Sequence, residues 1–198
     1  MSPLSEDEGR TLLGIARQAI EAAVLERRPP DVQGYSGRLA EPAGAFVTLR
    51  RDGELRGCIG HVEADEPLAL AVASSAASSA LYDPRFPPLS PAEVPHINIE
   101  ISVLSPLTDI APEEIEIGRD GLMISSGFRR GLLLPQVPLE WDWNREEFLE
   151  QTCVKAGLPA NAWRRGARIQ AFTTQIIDEP ETALPSALPK VSAFTRNK

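Results

Sequence analysis

The stretch from Phe46 to Gly60 constrains the fold more than any other part of the chain. Phe46-Val47-Thr48-Leu49 is apolar and β-branched. Asp52-Gly53 follows, a pair that tolerates the positive φ angles of a two-residue hairpin loop. Closing the hairpin there sets Arg51 against Glu54, Leu49 against Arg56 and Val47 against Cys58. Strand alternation then places Arg56, Cys58 and Gly60 on one face and Leu55, Gly57 and Ile59 on the other. Apolar residues fall on both faces, the pattern of central strands covered on both sides.

The second strand of this hairpin carries the chemistry. Leu55-Arg56-Gly57-Cys58-Ile59-Gly60 puts one of only two cysteines between glycines and beside an arginine. Arg56 and Cys58, two residues apart on one face, are separated by roughly 7 Å, and a guanidinium at that range lowers a thiol pKa. Gly57 and Gly60 lack Cβ and admit another backbone or a ligand. His61 is the nearest base, but its parity sets it opposite Cys58 unless Gly60 bulges the strand. The same residues also fit a purely structural reading, in which Cys58 is a small core residue facing Val47.

Around the hairpin the chain reads as an alternation of helices and strands. Ser5-Glu6-Asp7-Glu8 is a capping box, and Leu12, Leu13, Ile15, Ala16, Ala19, Ile20, Ala23 and Val24 recur at helical spacing until Pro29-Pro30. Residues 31 to 43 form a loop. Asp65-Glu66-Pro67 opens a helix rich in Ala and Ser, suited to lying close against a sheet. Its serines lack a Gly-x-Ser-x-Gly elbow and so do not read as nucleophiles. Asp83-Pro84-Arg85-Phe86-Pro87-Pro88-Leu89 is a proline-stiffened loop that fixes how Asp83 and Arg85 are presented. Ile97 to Val103 alternates, with Asn98, Glu100 and Ser102 on the face expected to meet solvent or a cleft.

Residues 113 to 134 read as a β-meander with strands at Glu114–Ile117, Gly121–Ile124 and Gly131–Leu134. Its Glu113, Glu114 and Glu116 form a solvated edge. Asn144 and Glu147 cap a helix from about Arg145 to Ala156, with Cys153 on its core side and Gly157 at its end. Ile169 to Ile177 reads as one final strand, and a loose tail is expected after Pro180.

Composition narrows the function. A formal net charge of −8 over 198 residues argues against a nucleic-acid footprint and against attraction to anionic lipid. No apolar run approaches the roughly 20 residues of a membrane span, and the start lacks a basic-then-apolar signal. Two distant cysteines then predict reduced thiols in the cytoplasm. No phosphate loop, dinucleotide fingerprint, His-Glu-x-x-His or Cys-x-x-Cys is present, so no cofactor is expected. Cys58-x-x-His61 is at most half a metal site, completed by His96 or Cys153. With two histidines and the pair split by parity, no metal is expected.

Taken as an ordered set, these segments resemble the AMMECR family, whose prokaryotic members are called AmmeMemoRadiSam system protein A. The segments are Gly44 to Leu49 with the LRGCIG motif at Leu55 to Gly60, Asp83 to Leu89, Ile99 to Leu104 and Arg130 to Val137. Phe148-Leu149, Cys153, Lys155 to Pro159 and Trp163 complete the set. The resemblance spans roughly residues 8 to 178. It implies an α+β fold, with a mainly antiparallel sheet flanked by helices, a smaller α+β subdomain and an interdomain cleft. Residues 1–180 would form this domain, as two intertwined subdomains, with 181–198 as the tail. The resemblance implies no reaction. The family name records association with a Memo-like protein and a radical-SAM protein, which makes both expected partners.

Two functions follow as expectations. One is a thiol-dependent ligand or substrate site with Cys58, Arg56, His61 and Glu100 as catalytic candidates and Gly57, Gly60, Asp83 and Arg85 as binding candidates. The other is a non-catalytic partner subunit, with Arg85, Trp141 and Trp143 as contacts.

Overall fold

A computed structural model describes residues 3–180; the expected tail lies outside them. The fold is α+β, with two four-stranded sheets built entirely from antiparallel pairs.

Helix α1 runs Glu6–Val24 and starts where the capping box places it. The Ser5 hydroxyl accepts the Glu8 N–H at 3.3 Å, and Glu8 accepts the Ser5 N–H at 2.8 Å. Strands β1 (Ala45–Arg51) and β2 (Glu54–His61) form the expected hairpin. Asp52 and Gly53 take φ of 53° and 82°, as a tight two-residue loop requires. Helix α2 (Leu68–Leu81) follows, then β3 (Ile97–Leu104) and the short β4 (Thr108–Asp109). Next come β5 (Gly121–Ser126), β6 (Arg129–Leu133), α3 (Val137–Glu140), α4 (Arg145–Lys155), β7 (Arg168–Phe172) and β8 (Thr174–Asp178).

The first sheet has the order β2-β1-β3-β8. Val47, Leu49, Ile99, Ile101 and Val103 share one face and form a single core with Leu12, Ile20, Leu68, Val72 and Ala76 of α1 and α2. Burying each large side chain contributes roughly 1.5–3 kcal/mol. Arg17 on α1 ties the layers together, donating to the Val94 and Ile97 carbonyls at 2.9 Å each and pairing with Glu179. The second sheet has the order β4-β7-β5-β6 and is covered by α4. Phe148, Leu149 and Cys153 pack there on Ile115, Leu122, Ile124 and Ile169.

Three expectations are corrected. Glu114–Ile117 is not a strand. Pro112–Glu114 is a short 3-10 turn, and the chain then loops to β5, with Asp120 accepting the Glu116 N–H at 2.8 Å. The last strand is two strands: the chain leaves the second sheet at Phe172 and joins the first at Thr174. The hairpin register also differs. Thr48, not Val47, lies opposite Cys58, and Val47 lies opposite Ile59. Leu49 pairs with Gly57 and Arg50 with Leu55, so Arg56 is an extra residue without a partner in β1. This β-bulge shifts everything beyond it by one position.

Candidate functional site

The face of the first sheet away from α1 and α2 is polar. Register places Cys58, Thr48, Glu100 and Asp178 in one row across β2, β1, β3 and β8. Burial is graded along it: Thr48 is buried, Cys58 and Glu100 are half-buried, and Asp178 is exposed. The Thr48 hydroxyl donates to Cys58 Sγ at 3.4 Å. Burial raises the Glu100 carboxyl above its ordinary range, and Asp178 opposite adds to the shift, while Arg50 at 3.7 Å opposes it. Ser102, expected near solvent or a cleft, is buried.

The backbone of Cys58 is held from outside the sheet. As the edge strand, β2 turns the N–H and C=O of Cys58 away from β1, where no strand continues the ladder. Asp83 accepts the Cys58 N–H at 2.8 Å, and Arg85 Nη2 donates to the Cys58 carbonyl at 3.2 Å. Asp83 and Arg85 are themselves a fork, with Nε on Oδ1 at 3.0 Å and Nη2 on Oδ2 at 2.7 Å. The Arg85 hydrogen bond holds the Asp83 carboxyl far below the usual carboxylate range, against its own burial, and the Cys58 N–H lowers it further. Asp83 in turn favours the Arg85 charge, to which the Cys58 thiol also contributes.

Arg56 does other work. Its guanidinium pairs with Glu93 at 2.9 Å, donates to the Pro87 carbonyl at 3.0 Å and lies 5.9 Å from the Phe86 ring. Its side chain is 14% exposed. The bulge thus turns Arg56 into the clamp that seats the proline loop, and Arg85 becomes the cation beside Cys58. That same clamp holds the Glu93 carboxyl down to about 2.

The glycines are filled by the protein itself. A Cβ on Gly57 would run into the Ser79 carbonyl of α2, and one on Gly60 into Ala45 and Phe46 of β1. Both admit close backbone approach, and on these sides protein atoms occupy the space that was expected to admit another backbone or a ligand. Ser79 was missed as a structural residue. Its hydroxyl donates to the Val47 carbonyl at 2.7 Å and accepts the Ile59 N–H at 2.8 Å, bridging β1 and β2 next to Cys58. A serine in an Ala/Ser-rich helix carries no local signal of such a bridge.

His61 pairs in register with Ala45 and so faces away from Cys58. Glu66 Oε1 approaches its Nε2 to 3.2 Å without hydrogen-bond alignment, which leaves that buried nitrogen without a hydrogen-bond partner. His61 lines a cavity of about 270 Å³ with Gly60, Val62 and Glu63 on one side and Met123, Arg130, Gly131 and Leu132 on the other. The Arg130–Glu63 ion pair joins the two sides. A second cavity of about 240 Å³, lined by Arg50, Asn98, Glu100 and Asp178 among others, lies at the hairpin end of the polar face. Cys58 lines neither. Cys153 is fully buried, and burial pushes its thiol up. Among the described residues no group of three or more His, Cys, Asp or Glu is arranged to hold a metal ion, and no helix is long and apolar enough to cross a membrane.

The segments that build this arrangement identify the lineage of the chain. The AMMECR1 family profile matches residues 13–177, from within α1 to the end of β8. The chain belongs to the AMMECR1 family. A protein of Methanothermobacter thermautotrophicus is 45% identical over 190 residues, covering 90% of this chain and 97% of the relative. One of Methanopyrus kandleri is 43% identical, covering 92% and 93%. A crystal structure of an uncharacterised Pyrococcus horikoshii protein is 40% identical and superposes with a TM-score of 0.82, over 89% of this chain and 93% of that one.

Proposed function

We propose that the polar face around Cys58 is a ligand or substrate site with thiol-dependent chemistry. Cys58 is the reacting group, Arg85 its cationic neighbour and Glu100 a proton-carrying group in the same row. One observation carries this reading: a half-exposed thiol on a residue whose backbone N–H and C=O are both held by a charge pair with a buried carboxylate. A reacting atom must be held within about 0.5 Å of its working position, and buried hydrogen bonds to its backbone do that. His61, on the other face, takes no part. Native-state labelling tests the reading. In a Cys153→Ser protein, iodoacetamide should modify Cys58 while the fold is intact; labelling that begins only on unfolding contradicts it.

One observation favours a second reading, a partner subunit that acts with a Memo-like protein and a radical-SAM protein. Trp141 stacks on Trp143 with ring centroids 6.0 Å apart, yet is 67% exposed beside the exposed Leu139. Trp is enriched at binding hot spots. A purified Memo-like protein should bind the chain and lose roughly tenfold or more in affinity with Trp141→Ala, a ~1.4 kcal/mol effect. No complex at micromolar concentrations contradicts this second reading.

A further inference from the structure

Arg85 has an unused edge. Its Nε and backbone N–H serve Asp83 Oδ1, and its Nη2 is divided between Asp83 Oδ2 and the Cys58 carbonyl. Nη1 makes no hydrogen bond among the described residues. The pair is also lopsided towards solvent: the Asp83 side chain is 3% exposed and that of Arg85 is 54% exposed. The negative end is buried and spent, whereas the positive end faces outward next to the thiol. The other nearby guanidinium, Arg56, is taken by Glu93 and two proline carbonyls. The orientation of Arg85 is fixed by the Asp83 fork and by the Phe86 ring 5.5 Å from its guanidinium. A fixed guanidinium with free N–H groups recognises oxyanions, carboxylate or phosphate, through charge-assisted hydrogen bonds.

Resting on the reading of Cys58 as the reacting group, we infer that the site takes a small electrophile bearing an oxyanion close to the carbon attacked by Sγ, with Arg85 Nη1 holding the oxyanion. In the step the thiol proton passes to water. The Sγ electron pair forms the S–C bond, and the leaving group departs from that carbon with the bonding pair. Arg85 is a positioning and specificity residue here, and it exchanges no proton.

Two reagents that differ only in charge near the reacting carbon test this. Iodoacetate and iodoacetamide both form an S–C bond with loss of iodide, and only the first carries a carboxylate. In the Cys153→Ser protein, the iodoacetate-to-iodoacetamide rate ratio at Cys58 should exceed that of the neutral model thiol N-acetylcysteine amide by about fivefold or more at low salt. The excess should shrink in about 0.5 M salt, where charges are screened within a few ångströms. Arg85→Gln should bring the ratio to the model value. Because that variant also removes the Asp83 pair, the salt response of the unsubstituted site is a second and independent readout. A ratio equal to the model thiol's at low salt, with Cys58 still reactive, overturns the anion site alone. Labelling of folded protein by neither reagent overturns the Cys58 reading and the anion site with it.

Discussion

The Asp83 carboxylate accepts the backbone N–H of Cys58 at 2.8 Å from 25 residues further along the chain. With Arg85 on the Cys58 carbonyl, it does for the edge of β2 what a neighbouring strand would do. An edge strand otherwise presents free N–H and C=O groups that template aggregation. Here the guard is a charge pair.

Asp83→Asn tests this guard. The amide cannot accept both the Arg85 fork and the Cys58 N–H with full charge, which leaves a buried backbone donor weakly paired at a cost of about 1–3 kcal/mol. The midpoint of thermal unfolding should fall by about 5 °C. Exchange of the Cys58 amide with solvent deuterium should accelerate more than that of Val47, two strands' width from the loop. An unchanged midpoint and unchanged exchange would contradict the guard.

The acid side of the stability curve should report the same loop. Asp83 and Glu93 both have folded values depressed below their ordinary ones, by Arg85 and by Arg56 respectively. A depressed carboxylate contributes stability that is complete above its unfolded pKa, roughly 4, and is lost as pH falls towards the folded value, about 2 for Glu93. The wild type should therefore lose about 2 kcal/mol more than an Asp83→Asn/Glu93→Gln double variant between pH 6 and pH 2. Parallel urea curves for the two proteins across that range would count against it.

Glu100 carries the opposite sign. Burial raises its folded pKa, so ionised Glu100 is disfavoured and its contribution declines as pH rises from the unfolded value through the folded one. Glu100→Gln should unfold in urea at a midpoint equal to or above wild type at pH 8 and lose that advantage at pH 4. A lower midpoint at pH 8 would mean that the Arg50 contact outweighs desolvation.

Two glycines should respond in opposite directions. Gly14 in α1 has nothing within 4 Å of an added Cβ, so Gly14→Ala should stabilise by up to about 1 kcal/mol through helix propensity and unfolded-state entropy. Gly60→Ala would drive a methyl into Ala45 and Phe46 of β1 and should cost about 2–3 kcal/mol. Differential scanning calorimetry of the pair separates the two effects.

What could be read from the sequence was local. Ser5 and Glu8, Asn144 and Glu147, and Asp52 and Gly53 act within four residues, so their caps and turn appear as expected. Arg56 was misplaced because its bulge is fixed by Glu93 and Pro87, more than thirty residues away. The break at Thr173 was hidden because a single residue separates β7 from β8, and the two differ in which sheet receives them. The Leu55 to Gly60 motif lies on β2, the edge strand of the first sheet. The sequence offers Asp83 and Arg85 beside it as candidates, but their hydrogen bonds to the Cys58 backbone, and that of Ser79 to Ile59, span 20 residues or more and exist only in the folded chain.

The most direct measurement is the rate of Cys58 alkylation by iodoacetamide in the Cys153→Ser protein, followed from native conditions through the urea unfolding transition. Cys58 should be labelled in the native state, before any unfolding, because its half-exposed thiol sits on a backbone held by Asp83 and Arg85. A thiol that labels only on unfolding would contradict a reactive Cys58.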